Sequence, residues 1–226
     1  MSTHLYHWPE SSAVGRVVPK SRFYENAKVS TALKQRFVDE VQRITWAFKL
    51  SPSTVNLNPT SSVEEIEVFR VEAKAGDVSD HVLLAISRAL SHPVVFEIEA
   101  QSPVGSGAAT GRRVRMAATD PGTDGGRRRG LHSIPWAPAD TAVRAPLPAA
   151  LDLQGLLVSI LKSVLPVDSP AYESLDEALN RSTAVERHKR EIARLERSLR
   201  TEIQLNRKME LRRELRAQQS KLEGLM

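Results

Sequence analysis

From residue 183 to 223 the chain runs without a proline or a glycine, and its apolar residues fall on two heptad seams. Val185, Ile192, Leu195 and Leu199 form the first seam, with His188 at one d position. Leu211, Leu215, Leu222 and Leu225 form the second, with Gln218 at one d position. Such spacing dictates helix, because only a 3.5–3.6-residue period brings these side chains onto one face. The seams are two residues out of phase, so the helix must shift its buried face near residues 202–209 or break there into a hairpin. With no proline or glycine to stop it, one long helix is the expectation, spanning on the order of 60 Å. A helix that long needs a partner for its seam.

The same segment carries the charge. The chain has 226 residues and a formal net charge of +5 from 32 basic and 27 acidic side chains. Residues 183–226 alone hold 12 basic and 7 acidic residues, so everything before them is neutral. A basic tail fits a polyanionic partner such as DNA, whose phosphates release counterions when neutralised, or else a solvated Arg/Glu helix face. No run of 18 apolar residues exists, which excludes a membrane-spanning helix. The first ten residues lack a basic start and an apolar stretch, against a secretory signal. Cysteine is absent, which removes disulfides, thiolate chemistry and cysteine-ligated zinc. A cytoplasmic protein is expected.

The first thirty residues read as an extended arm that lies across its own domain or reaches a partner. Leu33, Phe37, Val41, Ile44 and Phe48 recur at three- and four-residue spacings, which predicts a helix from Ser30, its N-cap, to Leu50. Residues 51–62 are a loop. Residues 65–74 (EIEVFRVEAK) alternate as a strand, 80–91 repeat the helical period, and 94–100 (VVFEIEA) form a second strand. Together they make one βαβ unit, parallel by default. Residues 103–130 hold 7 of the 11 glycines and the run Arg127, Arg128, Arg129. They read as a basic loop within a hairpin whose strands are 113–118 and 131–136. Residues 137–148 read as a Pro/Ala-rich linker, 151–165 as an apolar helix, and 174–180 as a short helix leading into the tail.

Few constellations carry chemistry. Glu72-Ala73-Lys74 has the Glu-x-Lys spacing of restriction-type nucleases, in which the carboxylate holds a divalent cation and the lysine positions the attacking water. The second carboxylate would be Glu64 or Glu65, on the same strand, and a solvated strand face produces this spacing equally well. The six histidines show no metal-ligand spacing. Gly105, Gly107 and Gly111 lack the Lys-Ser/Thr of a phosphate loop. Trp8, Phe23 and Tyr24 either dock a partner or pack on their own domain, Trp46 belongs to packing, and Lys20 and Lys49 are candidate phosphate or partner contacts. No cofactor is indicated.

Several runs resemble one bacterial family. They are His7-Trp8-Pro9-Glu10-Ser11, Val18-Pro19-Lys20 with Phe23-Tyr24, Phe37 to Val41 (FVDEV), Ile44-Thr45-Trp46, and Lys49-Leu50-Ser51 with Asn56. Further on come Glu64-Glu65-Ile66, Val68-Phe69, His92-Pro93, Phe96-Glu97, Leu151 to Leu156 (LDLQGL) and Gln204 to Lys208 (QLNRK). The family is that of domain of unknown function 4391. The resemblance implies an accessory protein encoded beside restriction-modification, helicase or DNA-methyltransferase genes, a phage-defence setting, and it implies no catalytic residue.

The expected architecture is α+β: a small sheet with flanking helices over residues 1–150, a helical connector over 151–182, and a basic coiled-coil-like helix over 183–226. The expected function is a non-catalytic adaptor of a DNA-targeting complex. Trp8, Lys20, Phe23, Tyr24, Ile192, Leu195, Leu199, Leu211, Leu215 and Leu222 would meet a helicase or methyltransferase partner, or a second copy of the chain. Arg127, Arg128, Arg129, Arg207, Lys208, Arg212 and Arg213 would meet DNA phosphates. The alternatives are a magnesium-dependent nuclease using Glu65, Glu72 and Lys74, and a self-associating structural protein without DNA contact.

Overall fold

The computed structural model describes residues 5–26, 29–102, 111–120, 130–170 and 172–226, with the side chains of residues 24–26 left out. In chain order the elements are β1 (Leu5–Tyr6), a 3-10 turn (Glu10–Ser12), β2 (Ala13–Val17), α1 (Ser21–Asn26), α2 (Thr31–Glu40), β3 (Val41–Leu50), α3 (Pro52–Val55) and β4 (Ile66–Ala73). They continue with α4 (Asp80–Arg88), β5 (Val94–Gln101), β6 (Arg112–Thr119), β7 (Leu131–Ser133), β8 (Ala137–Pro138), β9 (Arg144–Ala145), α5 (Leu153–Val164), α6 (Leu175–Thr201) and α7 (Leu205–Glu223). The fold is α+β, as expected: a mixed sheet with flanking helices, followed by long C-terminal helices. Two compact units divide the chain, Met1–Val164 and Leu165–Met226. No helix among the described residues is long and apolar enough to cross a membrane.

In the first unit the sheet runs β2-β3-β4-β5-β6-β7, and β8 also pairs with β6. β4 and β5 are parallel, joined through α4 as a βαβ unit, and every other neighbouring pair in this sheet is antiparallel. The hairpin read across the Gly/Arg-rich segment is β6 paired with β7. On one face Phe69 and Val71 of β4 and Phe96 and Ile98 of β5 meet Phe37 of α2 and Val82, Leu83 and Ile86 of α4. α4 buries that stripe because its apolar residues follow the helical period.

The helix expected from Ser30 to Leu50 ends halfway. Ser30 does cap α2, accepting from the Leu33 N–H at 3.3 Å, but residues from Val41 onward form β3. In that strand Val41, Ile44, Ala47 and Leu50 are buried at every third position. A regular strand buries every second residue; here two bulge-type register shifts, between Val41 and Arg43 and between Trp46 and Phe48, each insert a residue against β4. Val41 and Ile44 lie opposite Ala73 and Val71, whereas Leu50 lies opposite Ile66 on the other face, so the two extra residues and burial on both faces together space the buried positions by three and imitate a helix face.

One open reading is decided and one further expectation changes. The N-terminal arm lies across its own domain: β1 pairs with β9, β2 pairs with β3, and Phe23 is 2% exposed, stacked on Phe37. The supposed linker at 137–148 contributes β8 and β9, because its backbone finds the edges of β6 and β1.

In the second unit the tail is two helices rather than one. α6 starts at a capping box in which Ser174 Oγ accepts from the Glu177 N–H (3.2 Å) and Glu177 Oε2 accepts from the Ser174 N–H (2.9 Å). The segment 174–180 is the first part of this helix and not a separate one. The chain then leaves the helix at Glu202, whose Oε1 accepts from the N–H groups of Ile203 (2.8 Å) and Gln204 (2.9 Å). A carboxylate thus satisfies the backbone that a glycine turn otherwise serves.

Candidate nucleic-acid interface

The two seams of the tail bury each other. His188 Nδ1 lies 2.6 Å from Gln218 Oε1, and Arg181 Nη1 donates to the Leu225 carbonyl at 3.0 Å. These pairs set an antiparallel register that turns on Ile203 and, seven residues on from His188 and back from Gln218, brings Leu195 opposite Leu211, both buried. Leu222 and Leu225 pack on the cluster of Leu165, Val167, Ala178, Leu179 and Val185. Ile192, Leu199 and Leu215 are half-buried on the same seams. The leucines expected to hold a partner therefore hold the other arm of the hairpin. Arg181 braces its open end, donating to both carboxylate oxygens of Glu173 (2.9 and 2.8 Å) and to the Asp168 carbonyl (2.7 Å).

Packing the seams together turns the arginines outward. At 100° per residue, Arg187, Arg190, Arg194 and Arg197 occupy an arc of about 80° on α6, roughly opposite the centre of its seam. On α7, Arg213 stands opposite the seam, while Arg216 and Arg212 lie about 130° and 90° from its centre, and all seven are exposed. Arg194 pairs with Glu191 at 2.6 Å. The other six have no carboxylate within 4 Å among the described residues. Of the expected phosphate contacts, Arg212 and Arg213 are exposed on α7, Arg207 pairs with Glu210 at 2.8 Å, and Lys208 is half-buried. Arg127, Arg128 and Arg129 lie outside the described residues. Arg187, Arg190, Arg197 and Arg216, basic residues of the tail not singled out by number in the sequence, are exposed in the same way. At the turn, Ile203 (90% exposed), Leu205 and Met209 form an apolar tip.

The remaining candidates belong to the first unit. Trp8 Nε1 donates to Glu97 Oε1 (2.8 Å), and Arg144 straddles the same carboxylate at 2.6 and 3.3 Å while also donating to the Tyr6 carbonyl (2.7 Å). Arg70, cross-strand from Glu97, reaches its Oε2 at 3.4 Å and Glu99 at 3.4 Å, and Arg112 pairs with Glu99. Glu97 is 1% exposed. Trp8 and Glu97 fasten the N-terminal segment onto the sheet, with Trp8 half-buried there, and Phe23 is buried against Phe37. Tyr24's side chain lies outside the described residues. Trp46 stacks on Phe69, as expected of packing.

The nuclease residues are not brought together. Glu65 immediately precedes β4 and Glu72 lies near its far end, about 23 Å apart at roughly 3.3 Å per residue. Glu65 pairs with Lys49 and lies 3.5 Å from His92, Glu72 pairs with Arg43, and Lys74 is exposed. Among the described residues no group of three or more His, Cys, Asp or Glu is placed to hold a metal ion.

An α+β domain joined in sequence to a basic two-helix hairpin is the class that this fold and this surface define. The chain belongs to the family described as a domain of unknown function (DUF4391), whose match runs over residues 7–222. No curated protein and no solved structure matches it.

Proposed function

We propose that the chain is a non-catalytic adaptor of a bacterial DNA-targeting complex, in which the helical hairpin lies along the DNA backbone. The observation that carries this reading is the set of outward arginines, Arg187, Arg190 and Arg197 on the outer side of α6 and Arg212, Arg213 and Arg216 on α7, each without a carboxylate partner among the described residues. Guanidinium groups spaced along rigid helices suit phosphate contacts that position a protein without reading sequence. The apolar tip of Ile203, Leu205 and Met209 is the contact for a protein subunit of that complex, since the seam leucines are spent inside the hairpin. A helicase or methyltransferase subunit suits this role.

Binding of a labelled duplex by fluorescence anisotropy, followed across salt, tests the reading. The chain should bind non-specific duplex, and Arg212→Gln/Arg213→Gln/Arg216→Gln should lower the log–log salt slope by about 2–3, close to 0.9 for each phosphate that is no longer neutralised. Absence of salt-dependent binding by the unaltered chain ends the proposal.

A further inference from the structure

A cleft of about 440 Å³ opens where β2 stops short of its neighbour, lined by Val17, Pro19, Lys20, Gln42, Arg43 and Glu72 among others. β2 pairs with β3 only as far as Val17 opposite Thr45, whereas β3 runs back to Val41. Beyond that point the Val18-Pro19-Lys20 turn replaces the missing strand. Val18 N–H donates to the Ile44 carbonyl at 2.9 Å, and Lys20 Nζ donates to the Val41 carbonyl. One ammonium hydrogen is thereby used and two remain.

The charges of the cleft do not cancel. Arg43 and Glu72 neutralise each other across the strands. Lys20, half-buried, and Lys74, next to the end of β4, have no carboxylate within 4 Å among the described residues. Burial lowers the Lys20 ammonium below the usual lysine range, and the nearby charge of Lys74 lowers it further. Lys74 is not itself in the lining, but it stands two residues after Glu72, which is, and its backbone N–H donates to the Glu40 carbonyl at 2.8 Å, one residue from the Val41 carbonyl that holds Lys20. With Arg43 and Glu72 paired, the two lysines leave an excess of two positive charges at the edge of a cleft of small-molecule size. A carboxylate would cancel one of them. A phosphate monoester, with a charge near −2 at neutral pH, cancels both.

We infer that this cleft binds the phosphate group of a phosphomonoester, held by Lys20 and Lys74 with its organic part against Val17 and Pro19. The group can come from a free mononucleotide or from the 5′-phosphorylated end of a nucleic-acid strand. The inference does not depend on the hairpin, whose arginines belong to the other compact unit.

Isothermal titration calorimetry on the full chain, at low ionic strength, with inorganic phosphate and with adenosine monophosphate, tests it. Saturable binding of both is expected, weakened about tenfold in Lys74→Gln and in Lys20→Gln and unchanged in Arg212→Gln. Lys74 is exposed, so its variant keeps the test valid where Lys20→Gln disturbs folding through Val41. Displacement of adenosine monophosphate by a 5′-phosphorylated single strand, and not by its 5′-hydroxyl counterpart, identifies the strand end as source. Binding of the mononucleotide without such displacement identifies the free molecule. No saturable binding, binding insensitive to both lysine substitutions, or binding lost in Arg212→Gln overturns the inference.

Discussion

His188 and Gln218, the two polar residues that interrupt the apolar seams of the tail, face each other across the hairpin at 2.6 Å. Each residue alone would be a defect in a buried seam, and together they satisfy one another. A mispaired register would strand both, so the pair selects the antiparallel alignment that turns on Ile203. Polar pairs at seam positions set register in this way at some cost in stability. Gln218→Leu should destabilise the chain by about 1–3 kcal/mol, the cost of leaving a buried polar group unpaired. His188→Leu/Gln218→Leu should recover most of that loss and loosen the register. Denaturant unfolding of the two variants, with size-exclusion chromatography of the double variant, checks both outcomes.

The buried carboxylate of Glu97 leads to a second expectation. It is held by Arg144, Arg70 and Trp8, from segments far apart in the chain. Arg144→Ala removes its principal counter-charge and should cost about 3 kcal/mol. Trp8→Phe removes one hydrogen bond to a charged group and should cost about 2 kcal/mol. Limited proteolysis should then cut the N-terminal segment first, since β1 depends on the same anchorage. Equal resistance of Arg144→Ala and the unaltered chain would contradict this role.

That anchorage also shows where the sequence is legible and where it is not. Short-range signals read true: the Ser30 cap, the βαβ unit of β4, α4 and β5, and the β6–β7 hairpin all rest on neighbouring residues. Alternating Arg70, Glu72, Glu97 and Glu99 look like a solvent-facing strand surface, because nothing local says that residues 8 and 144 return to cover Glu97. β3 reads as helix because its bulges produce a helix-like spacing. The break at Glu202 is marked only by the two-residue phase shift of the seams, which a shifted face would explain equally well, because a side-chain carboxylate, and not a glycine or proline, ends α6. The tail arginines are legible in composition and spacing, but their outward direction follows only once the two seams are known to face each other.

Glu67 should make the first unit less stable at neutral pH than below it. Its carboxyl is 8% exposed, its Oε2 has no hydrogen-bond partner among the described residues, and burial first, then the neighbouring Glu65, raises it above the usual carboxylate range. His92 and Lys49 act in the opposite sense. A raised folded value gives stability that is fully present below the unfolded value, roughly 4.3, and is lost as pH rises through the folded one. Glu67→Gln should therefore raise the melting temperature by a few degrees at pH 7, and the gain should vanish below pH 4. A gain that persists unchanged at low pH would mean that the charge is not its cause.

The turn of the hairpin responds to acid in the reverse direction. Hydrogen bonds from the backbone N–H groups of Gln204 and Ile203 hold the Glu202 carboxyl below the usual carboxylate range. A depressed folded value gives stability that is present above the unfolded value and is lost as pH falls through the folded one. Acidification below about pH 4 should therefore release the turn. Amide exchange at Ile203 and Gln204, relative to that at Leu195 and Leu211 on the buried seam, isolates this local opening from unfolding of the whole hairpin. Glu202→Gln keeps an acceptor without the charge, so its exchange should be faster at neutral pH and no longer depend on pH beyond the intrinsic chemistry. Glu202→Ala removes the acceptor as well and should open the turn at every pH. If Glu202→Ala exchanges at these two amides like the unaltered chain, the carboxylate is not what ends α6.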